Sequence, residues 1–308
     1  MDRCPAEIWS HVFSYACQDG GATGCSLSLT SKYIHETSKS VRHRSVALCG
    51  VTKISCFYHL LKREKTNPIT YLFVSDDELF ENATCSTRNV LCTSSRVDPP
   101  VTVQISSILR SNAASLSSLS IASFHFAPQL LPSTQFPLIV DLSFVSLGKR
   151  DQVSPPQPPP EALPVFPHLK RLRLVDVDDF DQLSLVSPSL THLHITGHRS
   201  TPLLDKLPPT VQSITLQPAS YVAEIDTGPY LDWLQHVARL KEETTVWSRT
   251  TLLKAPTFRP PCPSRQARIA WERTKEKDIT RSMAKDKASV DELTAQLRHV
   301  IAPDRFLP

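Results

Sequence analysis

"FPHLKRLRL" (residues 166–174), "SPSLTHLHI" (187–195) and "LPPTVQSITL" (207–216) share one plan. Each sets a proline just ahead of an apolar residue, with further apolar residues three and five positions beyond it. The starts Leu169, Leu190 and Val211 lie 21 residues apart. The same pattern occurs earlier at Ile69/Leu72/Val74, Leu116/Leu119/Ile121 and Ile139/Leu142/Phe144, and it is completed here by Leu172/Leu174, Leu193/Ile195 and Ile214/Leu216. Alternating apolar residues mark a short strand with one buried face. A strand motif that returns at a fixed period marks stacked units, none of which can bury its apolar face alone.

The spacing is uneven upstream. Ile139 to Leu169 spans 30 residues, and "PPQPPP" (155–160) supplies a loop insertion there. Ile69 to Leu116 spans 47 residues, which suits two units, one of them without a recognisable pattern. If the strands stack in parallel, the positions between the apolar residues line one exposed, concave face. That row reads Tyr71 and Phe73, Ser118 and Ser120, Asp141 and Ser143, Arg171 and Arg173, His192 and His194, Ser213 and Thr215. Tyr71, Phe73, Arg171, Arg173, His192 and His194 are the candidate target-binding residues. Two arginines beside two histidines would hold an acidic or phosphorylated partner through charge-assisted hydrogen bonds.

Ahead of the repeats stands a different region. In "CPAEIWSHVFSYA" (4–16), Pro5 suits a first helical turn and Glu7 favours the positive end of the helix dipole. Asp19-Gly20-Gly21 ends that helix. A second helix is predicted near 24–30, and Ser31 caps a third through Lys32–His35. Three short helices carry more apolar surface than they can hide among themselves. "SVALC" (45–49) reads as a strand and "VTKISCFYHLLKR" (51–63) as an amphipathic helix with Ile54, Phe57, Leu60 and Leu61 inward; together they form a linker.

The N-terminal residues resemble an F-box. Pro5, Glu7, Ile8, Val12, Phe13, Leu29, Ser31, Lys32 and Tyr33 match its pattern, while Cys4 and Thr30 depart from it with smaller, less apolar side chains. The likeness covers roughly residues 4–38. It implies docking on a Skp-family adaptor, and through it a cullin, with Pro5, Ile8, Val12, Phe13, Leu27, Leu29 and Tyr33 carrying the contact. The repeats resemble degenerate leucine-rich repeats, without the usual asparagine and without a regular helix after each strand.

The C-terminal quarter begins with "YLDWLQHVARL" (230–240), whose helical spacing suits a cap on the repeat stack. From Arg249 to Lys287 eleven Lys/Arg face four Asp/Glu, which reads as a solvated, partly helical tail. "SVDELTAQLRHVI" (289–301) opens with a capping box, Ser289 and Glu292.

Composition narrows the function. The 308 residues hold 26 prolines but only 7 glycines, which favours short elements on stiff loops and leaves little for phosphate-cradling turns. A net charge of +4 does not by itself imply nucleic acid, and no nucleic-acid partner is expected. No G-x-S-x-G, P-loop, G-x-G-x-x-G or H-E-x-x-H occurs, so no enzymatic activity and no cofactor are expected. The eight cysteines lack metal or disulfide spacing, and Cys49 and Cys56 read as buried thiols in an intracellular protein, with cytoplasm and nucleus not distinguished. "DVDDFD" (176–181) reads as polar loop.

The expected architecture is mixed α/β. It consists of a three-helix F-box (1–40), a linking strand and helix (41–65), an irregular leucine-rich-repeat-like solenoid of short parallel strands with a helical cap (66–245), and a basic tail (246–308). The expected function is recruitment of a protein target to a cullin–RING ubiquitin ligase. A repeat-type interaction scaffold without a ligase link is the alternative. No membrane partner is expected.

Overall fold

The computed structural model describes residues 5–63, 68–77, 99–124, 131, 134–147, 165–177, 187–197, 207–218, 237, 248–253, 267–278 and 280. Three helices open the chain: α1 (Ala6–Ala16), α2 (Ala22–Ser28) and α3 (Lys32–Ser38). There follow β1 (Ser45–Cys49), α4 (Val51–Arg63), β2 (Tyr71–Ser75), α5 (Val101–Asn112), β3 (Ser118–Ser123) and β4 (Asp141–Ser146). β5 (Arg171–Val175), β6 (His192–Thr196), β7 (Ser213–Gln217) and β8 (Thr250–Leu252) complete the strands, and residues 267–278 form a further helix. All eight strands join one parallel sheet in chain order.

The repeated apolar positions stack in register. Leu72, Leu119, Leu142, Leu172, Leu193 and Ile214 are successive partners, as are Val74, Ile121, Phe144, Leu174, Ile195 and Leu216. These side chains, together with Ile69, Leu116, Ile139, Leu169, Leu190 and Val211, are buried in one continuous core. A one-residue slip in any strand would turn its whole apolar set to the other face, so the pattern itself fixes the register.

The prolines are explained by the turns that feed the strands. Ile139, Leu169, Leu190 and Val211 each donate a backbone bond to the residue three positions earlier. Pro137, Pro167, Pro188 and Pro209 occupy the second position of these turns, where a pre-set φ is favourable. The turns are tied together: Ser189 Oγ donates to Pro167 O at 2.6 Å, and Thr210 Oγ1 to Pro188 O at 3.1 Å. Gly197, at φ +99°, directly follows β6, and a Cβ there would lie 1.9 Å from Asp176 Oδ1.

Three expectations are corrected. β1 and α4 are not a linker. β1 pairs with β2 along its full length, with Val46 and Leu48 beside Leu72 and Val74, while Ile54, Phe57 and Tyr58 of α4 enter the core. β2 and β3 pair directly, so no further unit is inserted between them in the sheet; among the described residues of that interval α5 buries Ile105, Ile108 and Leu109. The segment 249–287 is not simply a solvated tail. β8 extends the sheet, and Ala267, Trp271 and Lys275, on one face of helix 267–278, are 3–4% exposed. Cys49 is buried, as expected, but Cys56 is exposed. Of the predicted cap helix only Val237 is described, buried in the core. Residues 289–301, 155–160 and most of "DVDDFD" fall outside the described residues. Among those described, no helix is long and apolar enough to cross a membrane.

Candidate functional site

The N-terminal helices enclose a small core of their own. Phe13, Cys17 and Ile34 are buried together, with Trp9, Leu27 and Val41 against them; Trp9 stacks on Phe13 at 5.4 Å. Ser31 Oγ caps α3 by accepting from Ile34 N at 3.2 Å, as its place in the sequence predicts. Burial there also pushes the Cys17 thiol up to about 11, with Asp19 and Cys25 adding to it. The thiol is therefore a core side chain and not a nucleophile.

This core divides the residues that the F-box likeness singles out. Phe13 faces inward and is spent on holding the three helices together, which corrects its placement on a contact surface, while Leu27 packs against the same core and is half-buried. Pro5 is exposed, and so are Ile8 (54%), Val12 (47%), Leu29 (87%) and Tyr33 (39%). Ile8 and Val12 are one helical turn apart on α1. Four large apolar side chains are thus left open on this unit, two of them adjacent on one helix face.

The unit is fastened to the sheet by its other side. Ala47 N of β1 donates to Gly20 O at 3.0 Å, and Ser45 Oγ to Gln18 O at 3.3 Å. Gly20 has φ +80°, and a Cβ on it would stand 2.8 Å from that of Ala47. The edge of β1 is therefore covered by the loop between α1 and α2.

A second site lies on the sheet face opposite α4 and α5. Its two halves differ. Across β1–β4 the chain covers itself with helix 267–278. Trp271 packs on Phe73 with ring centroids 5.7 Å apart, and Cys49, Ala122, Val145 and Ala267 complete that cluster. Lys275 reaches Ser45 Oγ at 3.2 Å with its ammonium 4.3 Å from the Trp271 ring, and burial pulls its pKa down to about 8. Phe73 is thus wholly buried and Tyr71 half-buried, so the expected aromatic end of an open target face is corrected: it belongs to an intramolecular core.

The other half is polar. Arg171 forms a fork on Asp141 and also donates to Asp278 at 2.9 and 3.2 Å, tying helix 267–278 to β4 and β5. The two carboxylates hold the Arg171 guanidinium above its ordinary pKa, while burial raises that of Asp141. His192 is exposed, its Nδ1 2.8 Å from Thr191 Oγ1. His194 is half-buried, 3.1 Å from Thr196 Oγ1. Burial, and next the charge of Arg173, pull its pKa down to about 4, so the ring is neutral at physiological pH. The Arg173 Nε is shut off from solvent and has no hydrogen-bond partner. Strands β5–β7 keep alternating exposure on this side, whereas β2 and β3 are almost wholly buried.

Sequence reasoning brought the four Arg/His residues to one row and missed what covers its other end. A signal existed: Ala267, Trp271 and Lys275 fall four apart, the spacing of one helix face. The lysine broke the apolar stripe and hid it. No group of three or more potential metal ligands occurs among the described residues. Comparisons with family models, with curated proteins and with solved structures give no match.

Proposed function

We propose that the chain is a substrate-recruiting F-box subunit of a cullin–RING ubiquitin ligase. In this reading the N-terminal helices bind a Skp-family adaptor, and the sheet, a degenerate leucine-rich-repeat-like domain, binds a protein target. The observation that carries it is the exposure of the large apolar side chains Ile8, Val12, Leu29 and Tyr33 on a helical unit whose own core is already filled. The chain's contribution is proximity, since no bond is made or broken by its own residues in this role. The sequential parallel strands and their recurring proline turns support the repeat reading of the rest.

The test is a surface substitution. Ile8→Asp with Val12→Asp removes two half-exposed side chains, each worth about 1–1.5 kcal/mol in an interface, and adds two charges. Affinity for a purified Skp-family adaptor should fall at least about 100-fold with the melting temperature unchanged. An equal affinity for wild type and variant refutes the assignment.

The scaffold alternative draws on a separate observation, the bonds from β1 to Gln18 and Gly20. They make the helical unit a cap on the sheet. Deleting residues 1–40 would strip that edge and destabilise the sheet in either reading, so only the exposed face separates them.

A further inference from the structure

Row position by row position, this sheet face carries Ser120, which is buried, and then Ser143, Arg173, His194 and Thr215 as direct neighbours on adjacent strands. Adjacent strands stand about 4.8 Å apart, so Ser143 and His194 flank the arginine within reach of a single small ligand. Two members of the row have an unmet need. The Arg173 Nε and the Ser120 Oγ are both closed to solvent, and neither has a hydrogen-bond partner. Among the described residues no carboxylate pairs with Arg173; Asp141 and Asp278 on this face are both taken by Arg171. Burial alone moves the Arg173 pKa, and it moves it down. The residue as a whole is only half-buried.

A partly buried cation without a counter-ion is costly in an isolated chain, because desolvation is not offset by pairing. A ligand that supplies the missing charge removes that penalty. We propose that Arg173, flanked by Ser143 and His194 on β4 and β6, forms a binding site for a tetrahedral oxyanion, inorganic phosphate or a phosphate monoester. The guanidinium fork offers two parallel donors, and the Ser143 hydroxyl offers a third. A carboxylate presents two oxygens to these donors, whereas a phosphoryl group presents three. This deepens the target-face half of the reading above and is independent of the adaptor half.

The test uses the full chain, with calorimetric titration and thermal shift at constant ionic strength. The probes are inorganic phosphate, N-acetyl-phosphoserine amide and acetate. Saturable binding of phosphate or phosphoserine at one site per chain, at least tenfold tighter than acetate, is expected. Preference between the first two distinguishes free anion from monoester. Arg173→Met should weaken binding at least tenfold and, without ligand, melt no lower than wild type, since it removes an unpaired charge. Arg173→Lys should keep the charge and still lose affinity, because the fork is gone. Absence of saturation with either phosphate probe overturns the proposal, as does equal binding of acetate. Undiminished binding by Arg173→Met, or a lower melting temperature of that variant, also overturns it, the latter because Arg173 would then serve the fold. Adaptor affinity is untouched by any of these variants, so failure here leaves the N-terminal assignment standing.

Discussion

Replacing Trp271 with alanine should free helix 267–278 from the sheet while the sheet itself stays folded. Trp271 is 3% exposed and lies against Phe73, which has no exposed surface. Truncating a buried tryptophan costs about 3–5 kcal/mol. The Lys275 ammonium over the ring adds about 0.5–2 kcal/mol to the loss. Against this stand Ala267, the bond from Lys275 to Ser45, and the Arg171–Asp278 pair, which is part-exposed and worth about 1 kcal/mol or less. A helix this short has no stability of its own in water. Detachment should therefore precede global unfolding. Hydrogen exchange read by mass spectrometry should show loss of protection in 267–278, together with new exchange in β2. A Lys/Arg-specific protease should gain cleavage at Arg268, Arg273, Lys275 and Lys277. The core made by α4, α5 and the stacked leucines should keep its protection. Wild-type protection of 267–278 in the variant would refute the reasoning, because it would mean that the apolar contact is not what holds the helix.

Gly197→Ala places a side chain at a left-handed φ and against Asp176, so it should lower stability by about 1–3 kcal/mol, read as a fall in melting temperature. His194 makes stability depend on pH with a definite sign. Its folded pKa, about 4, lies below the ordinary 6.5, so between these values the unfolded chain takes up a proton that the folded chain refuses. Stability is lost as pH falls through that window, by about 1–2 kcal/mol once partial exposure is allowed for, and levels off below about 4. His194→Asn should remove this part of the slope; superimposable stability–pH curves for wild type and variant would contradict it.

The sheet was legible because its signal is purely periodic. Six apolar triplets had to lie in register if they were strands at all, and the burial of Ile69 through Leu216 follows from that one pattern. α4 was legible for the same reason, and Ser31 by its capping chemistry. β1 was read as a strand but not as a member of the sheet, because His43 stands where the other units have their first apolar residue. β8 is three residues long and carries only Leu252 as an apolar residue, too little for any period to show. Among the site residues, spacing placed Arg173 and His194 side by side. What it does not carry is occupancy: whether a face is open depends on distant segments, and Trp271 lies nearly two hundred residues from the Phe73 it covers.

That occupancy follows the composition of the row itself. At the β1–β3 end the row offers Ala47, Tyr71 and Phe73, apolar area that water would leave unsatisfied, and the chain lays Trp271 over it. From β4 onward the row turns to Asp141, Ser143, Arg171, Arg173, His192 and His194. A second apolar helix laid there would have to bury two guanidinium groups, and only one of them has acids beside it. The chain satisfies Arg171 from within, through Asp141 and Asp278. The last described carboxylate of helix 267–278 thus meets the first cation of the polar half. Adding one acid should change that balance. In His192→Glu, a carboxylate on β6 stands one strand from Arg171 and diagonal to Arg173, so it can supply the charge that the proposed oxyanion would bring. The variant should melt higher than wild type without ligand and lose most of its response to phosphate. A variant that melts lower and still binds phosphate as wild type does would show that Arg173 is not short of a counter-charge.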